Sequence, residues 1–329
     1  MLGTRTGVVV LNYGHPRDTW ACLESLEQSG DGDLDVVVVD NAPEGADHDR
    51  LREGVGGRAE VVASGSNLGY AGGNNLGIAR LLDRDVDQVM LLNPDARVEP
   101  HTLRVLRRLL HNRPRCGVVG PRLVFPGTPS RICFDGGVVN RENGATWHRR
   151  RGHLEAGAPV RRARRTDFVT GAAVMVRADT FREVGLLPER YFMYYEETDW
   201  CLRAARAGWK LLVQPRARVT HLKRSGIEVP QPYAVYYLTR NRYFFARDVL
   251  GIDPEQALAH QDDTLVRNWR ARVLEHAPHW RATFEELVSA GKADARAGRD
   301  GRRPDVEAVA DAEGHRLVTR EHALGADRR

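Results

Sequence analysis

Gly7-Val8-Val9-Val10-Leu11 and, one helix-length further on, Val36-Val37-Val38-Val39-Asp40 decide the fold. Both runs are apolar throughout rather than alternating, the pattern of strands buried on both faces. Between them Asp18 or Thr19 caps a helix with Trp20, Leu23 and Leu26 on one stripe. The unit then repeats. Val61-Val62-Ala63 reads as a third strand, followed by a Gly/Asn-rich turn and a helix around Leu76 to Leu82; Val89-Met90-Leu91-Leu92 is a fourth, ending at Asn93-Pro94-Asp95. A helix opened by Pro100 follows, with Leu103, Leu106 and Leu110 on one face. This β-α-β repetition predicts an α/β fold, a mostly parallel central sheet with helices on both faces. Ligands of such sheets sit beyond the carboxyl ends of the strands. Asn12, Asp40, Ser64 to Asn67 and Asp95 are therefore expected on one rim.

Further along, residues 121 to 165 are rich in Gly, Pro and Arg and show little periodicity. Thr166 to Arg177 reads as strand, Thr198 to Ala207 as a helix ended by Gly208, and Leu211-Leu212-Val213 as a return to the sheet. From Pro232 an aromatic-rich helix begins (Tyr233, Tyr236, Tyr237, Tyr243, Phe244, Phe245). The expected division is a catalytic α/β domain over 1–225, a C-terminal helical extension over 226–290, and a charged, mobile tail over 291–329.

The 329 residues are 42% hydrophobic and 28% charged, enough apolar content for a sizeable core, which excludes wholesale disorder. No apolar run approaches the ~20 residues of a membrane span, and Met1-Leu2-Gly3-Thr4-Arg5-Thr6 runs into the first strand without a signal-peptide core. Cys22, Cys116, Cys133 and Cys201 lie far apart with no CxxC pair, which suits reduced thiols and a cytoplasmic protein. A net charge of +5 favours anionic partners mildly and identifies none.

Three groups of residues carry chemistry. Asp40 and Asp95, at strand ends, can hydrogen-bond a ligand or hold a divalent cation; each alone reads equally as a turn former. Gly65-Ser66-Asn67-Leu68-Gly69-Tyr70-Ala71-Gly72-Gly73-Asn74-Asn75 can cradle a phosphate or be a flexible loop, and it fits neither GxGxxG nor GxxxxGK[ST]. Tyr191-Phe192-Met193-Tyr194-Tyr195-Glu196-Glu197-Thr198-Asp199-Trp200 sets three acids among aromatics at a helix start. Mutual repulsion raises at least one pKa, which is what a general base requires. His221, at a strand end, can complete a mixed oxygen/nitrogen metal site with Asp95.

In order, these residues resemble the inverting nucleotide-sugar glycosyltransferases of family 2, of GT-A fold, and their rhamnosyltransferase-like branch. The resemblance covers about residues 6 to 245. It rests on Val10-Leu11-Asn12-Tyr13, Val39-Asp40-Asn41, Asn67 to Gly77, Leu91-Leu92-Asn93-Pro94-Asp95, Thr170-Gly171-Ala172-Ala173, Phe192 to Asp199, and His221. It implies that Asn12 and Tyr13 line the nucleotide pocket and that Asp40, with Asn41 beside it, meets the pyrimidine. Asn67, Gly69 and Asn75 would border the ribose and sugar. Asn93-Pro94-Asp95 stands at the DxD-type motif, so that Asp95, joined by His221, reaches a divalent metal, Mn or Mg, on the diphosphate. Glu197 is implied as general base, with Glu196 and Asp199 flanking it. Two departures stand out: Asn93 replaces the first acid of the motif, and Glu197 is one methylene longer than the usual Asp.

The implied partners are a dTDP- or UDP-linked sugar donor and a saccharide, lipid-linked or small-molecule acceptor. The implied place is the cytoplasm, with peripheral contact at the inner membrane face where the acceptor is lipid-linked. The aromatic helix packs, lines an acceptor groove or forms a homodimer seam. Rival readings are weaker. A nicotinamide or flavin oxidoreductase needs GxGxxG where Leu11-Asn12-Tyr13-Gly14-His15 stands, and a sugar nucleotidyltransferase needs a basic glycine-rich loop near the N-terminus. A nucleic-acid binder is suggested only by Arg149, Arg150, Arg151, Arg161, Arg162, Arg164 and Arg165, without interleaved aromatics, so no nucleic-acid partner is expected.

Overall fold

The computed structural model describes residues 4–309 apart from 33, 43–44, 159–161, 223–228 and 307. The chain divides into two compact units: Met1–Val139 with Thr146–Glu189 and Glu196–Ser225, and Asn140–Ala145 with Arg190–Tyr195 and Gly226–Arg329.

The first unit opens as the valine runs require: β1 (Thr6–Asn12), α1 (Pro16–Gln28), β2 (Leu34–Asp40), α2 (Ala46–Val55), β3 (Glu60–Ala63), α3 (Gly69–Leu82) and β4 (Gln88–Leu92). The short β5 (Ala96–Val98), α4 (Thr102–His111) and a long β6 (Cys116–Phe125) follow. Next come β7 (Arg131–Phe134), β8 (Gly137–Val139), β9 (Thr146–His148), β10 (Arg164–Arg165), β11 (Ala173–Arg177), α5 (Ala178–Val184), α6 (Glu196–Arg206) and β12 (Lys210–His221). Among the described residues ten strands form one sheet, with the path β10-β12-β6-β11-β4-β1-β2-β3; β5 pairs with β12, and β7 with β6. β3, β2, β1 and β4 are mutually parallel, as are β6 and β12. β11 runs antiparallel between β4 and β6, so the sheet is mixed. A parallel strand there would demand a crossover, usually a helix, and the chain reaches β11 through the loops after β10.

Register positions the site. Val8 lies opposite Val36 and Asn12 opposite Asp40, so β1 and β2 end together. α3 covers one face of these strands at very close range. A Cβ on Gly73 would fall 2.4 Å from Leu11 Cδ1, and one on Gly77 2.5 Å from Val9 Cγ1. The helix accepts the propensity penalty of about 1 kcal/mol per glycine for this approach. It therefore starts at Gly69, seven residues before the expected helix, and Gly72 and Gly73, read as part of a loop, are packing surface, while Gly65 stays in the turn before the helix.

The arginine-rich middle is organised by one acid. Asp135, fully buried, pairs with Arg122 of β6 at 3.2 Å, Arg150 at 3.3 Å and Arg164 at 2.6 Å. Arg151 stacks on Phe125. Arg161 lies outside the described residues.

The second unit is helical: α7 (Pro232–Phe244), α8 (Pro254–Gln261), α9 (Arg267–His276) and α10 (Arg281–Arg296). Tyr236, Tyr237, Val266, Val273, Trp280, Phe284 and Leu287 form its core, with Phe192. The tail boundary drawn at 290 needs correction. α10 runs on to Arg296, burying Gly291, Asp294 and Ala295, and Val306 is also buried; residues 310–329 lie outside the described residues.

Phe192, Tyr194 and Tyr195 all have positive φ (62°, 69° and 76°), a costly conformation for bulky side chains. The buried Asn241 of α7 holds it: Nδ2 donates to the carbonyls of Tyr191, Met193 and Tyr194 at 2.9, 2.7 and 3.0 Å. Asn241→Ala removes the side-chain donor from the Met193 and Tyr194 carbonyls, while Tyr191 keeps its bond from Arg240 Nη2 at 3.0 Å, and should cost about 1–3 kcal/mol. The check is the denaturant midpoint of the full chain; a value equal to wild type would show that the loop holds its shape unaided.

Candidate active site

The site begins where β1 and β2 end. Asn12 Nδ2 donates to Asp40 Oδ1 at 3.1 Å, while Asn12 Oδ1 accepts from the Thr19 hydroxyl of α1 at 3.0 Å, which fixes the amide's orientation. Asp40 is 2% exposed, and its other oxygen lies 2.7 Å from Nδ1 of His48 on α2. Tyr13, next in the chain, is 48% exposed on the rim.

Asn41 links this pair to α3. Its backbone N–H donates to the Asn12 carbonyl; Nδ2 donates to Asn67 Oδ1 and the Gly69 carbonyl, and Oδ1 accepts from the Leu68 N–H. Asn67 Oδ1 also accepts from the Gly69 N–H at 2.9 Å. Both side chains thus build the turn that launches α3. Asn75 is committed as well: it exchanges hydrogen bonds with the Leu187 backbone and donates to Glu189 at 2.8 Å. The resemblance gives these three amides to the donor; the fold engages them internally.

From the first turn of α3, the Tyr70 hydroxyl donates to the Gly171 carbonyl at 2.7 Å. The Gly171 N–H in turn faces the Glu197 carboxylate. The neighbouring Ala172 carbonyl accepts from the Asn93 N–H at 3.0 Å, anchoring the loop that carries Asp95. Asp95 Oδ1 lies 3.1 Å from His221 Nε2, 126 residues away in sequence. Hydrogen bonds thus run from Asp40 through Asn12, Asn41 and the turn before α3, and from Tyr70 to the Gly171–Ala172 segment, which also holds the Asn93 N–H of the Asp95 loop.

The acids at the start of α6 separate into two kinds. Asp199 accepts from Arg203 Nε at 2.9 Å, one turn along, and the same guanidinium reaches the Val184 and Leu186 carbonyls. Asp199 is thus engaged by a cation of its own helix. Glu196 and Glu197 differ. Each has an Oε2 that is buried and has no hydrogen-bond partner among the described residues. Burial raises the pKa of Glu196 well above the carboxylate range, and the charge of Glu197 adds to this. Burial also raises Glu197, opposed by the N–H groups of Glu197, Gly171 and Thr198. The two titrate as a pair.

At His221 burial works against the imidazolium, but hydrogen bonds with Asp95 and with Cys133, whose sulfur is 3.9 Å from Nδ1, outweigh it and raise the pKa to about 9. A partly exposed carboxylate and, once its proton is displaced, an imidazole form a donor pair that suits Mn²⁺ better than Mg²⁺. Among the described residues no group of three or more His, Cys, Asp or Glu is placed to hold a metal alone. Two protein ligands would leave the remaining positions to a ligand's oxygens. His48, Tyr70, Cys133 and Glu189 were not singled out from the sequence. Only Tyr70 carried a local signal, a lone phenol in a glycine run.

The mixed sheet with helices against it has the GT-A fold. The crystal structure of GalNAc-T7 with UDP, GalNAc and Mn²⁺ shares the fold: TM-score 0.56, 14% identity, covering 83% of this chain and 58% of that one. The chain belongs to the family described as glycosyltransferase like family 2, matched over residues 4–235. It is 26% identical over 272 residues to the low-salt glycan biosynthesis hexosyltransferase Agl10 of Haloferax volcanii, covering 80% of this chain and 82% of the relative. It is 27% identical over 238 residues to the N-acetylglucosaminyl-diphospho-decaprenol L-rhamnosyltransferase of Mycobacterium tuberculosis, covering 66% and 75%. Among the described residues no helix is long and apolar enough to cross a membrane.

Proposed function

We propose that the protein transfers a hexosyl or rhamnosyl group from a nucleoside diphosphate sugar to an acceptor hydroxyl, with inversion at the anomeric carbon. The observation that carries this reading is the buried, unpartnered Oε2 of Glu197, tied through Gly171–Ala172 to the loop of Asp95. Glu197 takes the proton of the acceptor hydroxyl as that oxygen bonds to the anomeric carbon. The bond from that carbon to the diphosphate breaks in the same displacement, and a single displacement inverts. Asp95 and His221 would hold a divalent cation, which when bound offsets the charge of the departing diphosphate. Asn12 and Asp40, with Tyr13 on the rim, would receive the base.

The rhamnosyl- and hexosyltransferase relatives make dTDP-rhamnose the first donor to try and UDP-hexoses the next. The mycobacterial relative's name points to a lipid-linked acceptor, and hence to work in the cytoplasm at the inner membrane face. A thermal-shift panel of nucleotide sugars with and without manganese tests the reading. A matching donor should raise Tm by several degrees with metal and less without it, and Asp95→Ala should remove the metal-dependent part. Stabilisation by dinucleotides, with none by any nucleotide sugar, would point instead to the oxidoreductase class.

A further inference from the structure

Gly171 lies directly against the end of the Tyr70 side chain. A Cβ there would lie 2.2 Å from the Tyr70 hydroxyl oxygen and 2.5 Å from Cζ. The phenol reaches this point from the first turn of α3, a helix already drawn onto the sheet by Gly73 and Gly77. Its hydroxyl donates to the Gly171 carbonyl at 2.7 Å. The peptide group on one side of Gly171 presents its N–H to Glu197. Just beyond it, the Ala172 carbonyl receives the Asn93 N–H. One hydrogen bond thus restrains a three-residue segment that serves the base on one flank and the Asp95 loop on the other.

The geometry points to Tyr70 as a positioning residue: its hydroxyl clamps the Gly171 carbonyl and so holds the Gly171 N–H on the Glu197 carboxylate. This rests on the reading of Glu197 as base. The titratable groups facing Glu197 are Glu196 and Cys201 on its own helix and Tyr70 on α3. Burial, reinforced by Glu197 and Glu196, pushes the Tyr70 pKa well above its ordinary value, and burial pushes Cys201 up to about 12. Both are neutral at physiological pH, so Tyr70 acts as a hydrogen-bond donor and not as a charge. An N–H aimed at a carboxylate favours its ionised form. Loosening that N–H raises the Glu197 pKa.

Tyr70→Phe keeps the ring and removes only the hydroxyl. It should lower kcat by about tenfold, the order of one hydrogen bond, with the donor KM unchanged. The acid limb of the rate profile should move to higher pH by roughly half a unit to one unit. Gly171→Ala, which drives the phenol aside, should move both in the same direction by more. The second readout needs no turnover. Carbon-13 titration of glutamate carboxyls in the full chain, with Glu197 assigned by its loss in Glu197→Gln, should show the same upward shift in Tyr70→Phe. A Glu197 midpoint unmoved in both folded variants overturns the clamp. Should Glu197→Gln keep full activity, the base assignment fails, while the carboxyl titration still decides whether Tyr70 holds that residue.

Discussion

Glu197→Gln should lower kcat by about 10²–10⁴-fold, the contribution of a positioned general base, while leaving the protein more stable than wild type. The two expectations come from one environment. Glu196, buried, and Glu197, half-buried, are adjacent carboxyls, each with a buried oxygen that no described group satisfies. Their pKa values are raised by burial, with mutual charge adding at Glu196. A carboxyl whose pKa is higher folded than unfolded stabilises the fold while protonated, below its unfolded pKa, and loses that advantage as pH rises through the folded value. Near and above neutral pH the pair therefore weakens the fold. The amide has nearly the same shape, accepts the same N–H bonds through its oxygen, and carries no charge. Its melting temperature should exceed that of wild type, by a margin that widens from mildly acidic to alkaline pH. Steady-state kinetics beside melting curves across that range provide the check. Lost activity with lost stability would mean a damaged helix start, and retained activity would move the base elsewhere, with Glu196 the first alternative.

The parts of this site that were legible from sequence are those written by strand periodicity. Three buried valine- or leucine-rich runs locate β1, β2 and β4, with the half-exposed Val61-Val62 of β3 beside them, and the residues that end these runs or follow just after are rim residues, which is how Asn12, Asp40 and Asp95 emerge. The pairing of Asp95 with His221 follows from the strand-end position of each and from the family resemblance, because nothing local connects residues 126 positions apart. What escaped was set by packing. The glycines of α3 look like a loop until the strands they lie against are known, since their value is in the approach they permit. His48 meets Asp40 only because α2 folds back across the end of β2. Asp199 looks equivalent to its two acidic neighbours, yet lies on the side of α6 that faces Arg203. The tail read as mobile because α10 buries small residues. A Cβ on Gly291 would lie 2.9 Å from the Tyr236 carbonyl, a contact with no hydrophobic signature.

Asp135→Ala should cost about 3–5 kcal/mol, the penalty for leaving a buried charge without its partner. The size of the effect depends on which arginine is left behind. Arg150 and Arg164 are 39% and 22% exposed and can turn into solvent when the carboxylate goes. Arg122, 5% exposed, cannot. It also donates to the Ala158 carbonyl at 2.9 Å, and Glu155, shared with Arg218, lies 3.8 Å from its Nη1, a longer and partly exposed pair that balances only part of the charge. The loss should therefore concentrate on one residue, and this can be measured. Arg122→Met in the Asp135→Ala background removes the charge that has lost its nearest partner while filling a similar volume. The double variant should recover a large part of the stability lost by the single one, a coupling well outside additivity for independent sites. Chemical denaturation of the wild type, the two single variants and the double variant supplies the cycle. If Asp135→Ala unfolds at the wild-type midpoint, or the double variant is no better than the single, the arginines of this segment are not held by the acid. Their density would then need a surface explanation, such as an anionic acceptor, in place of a buried carboxylate.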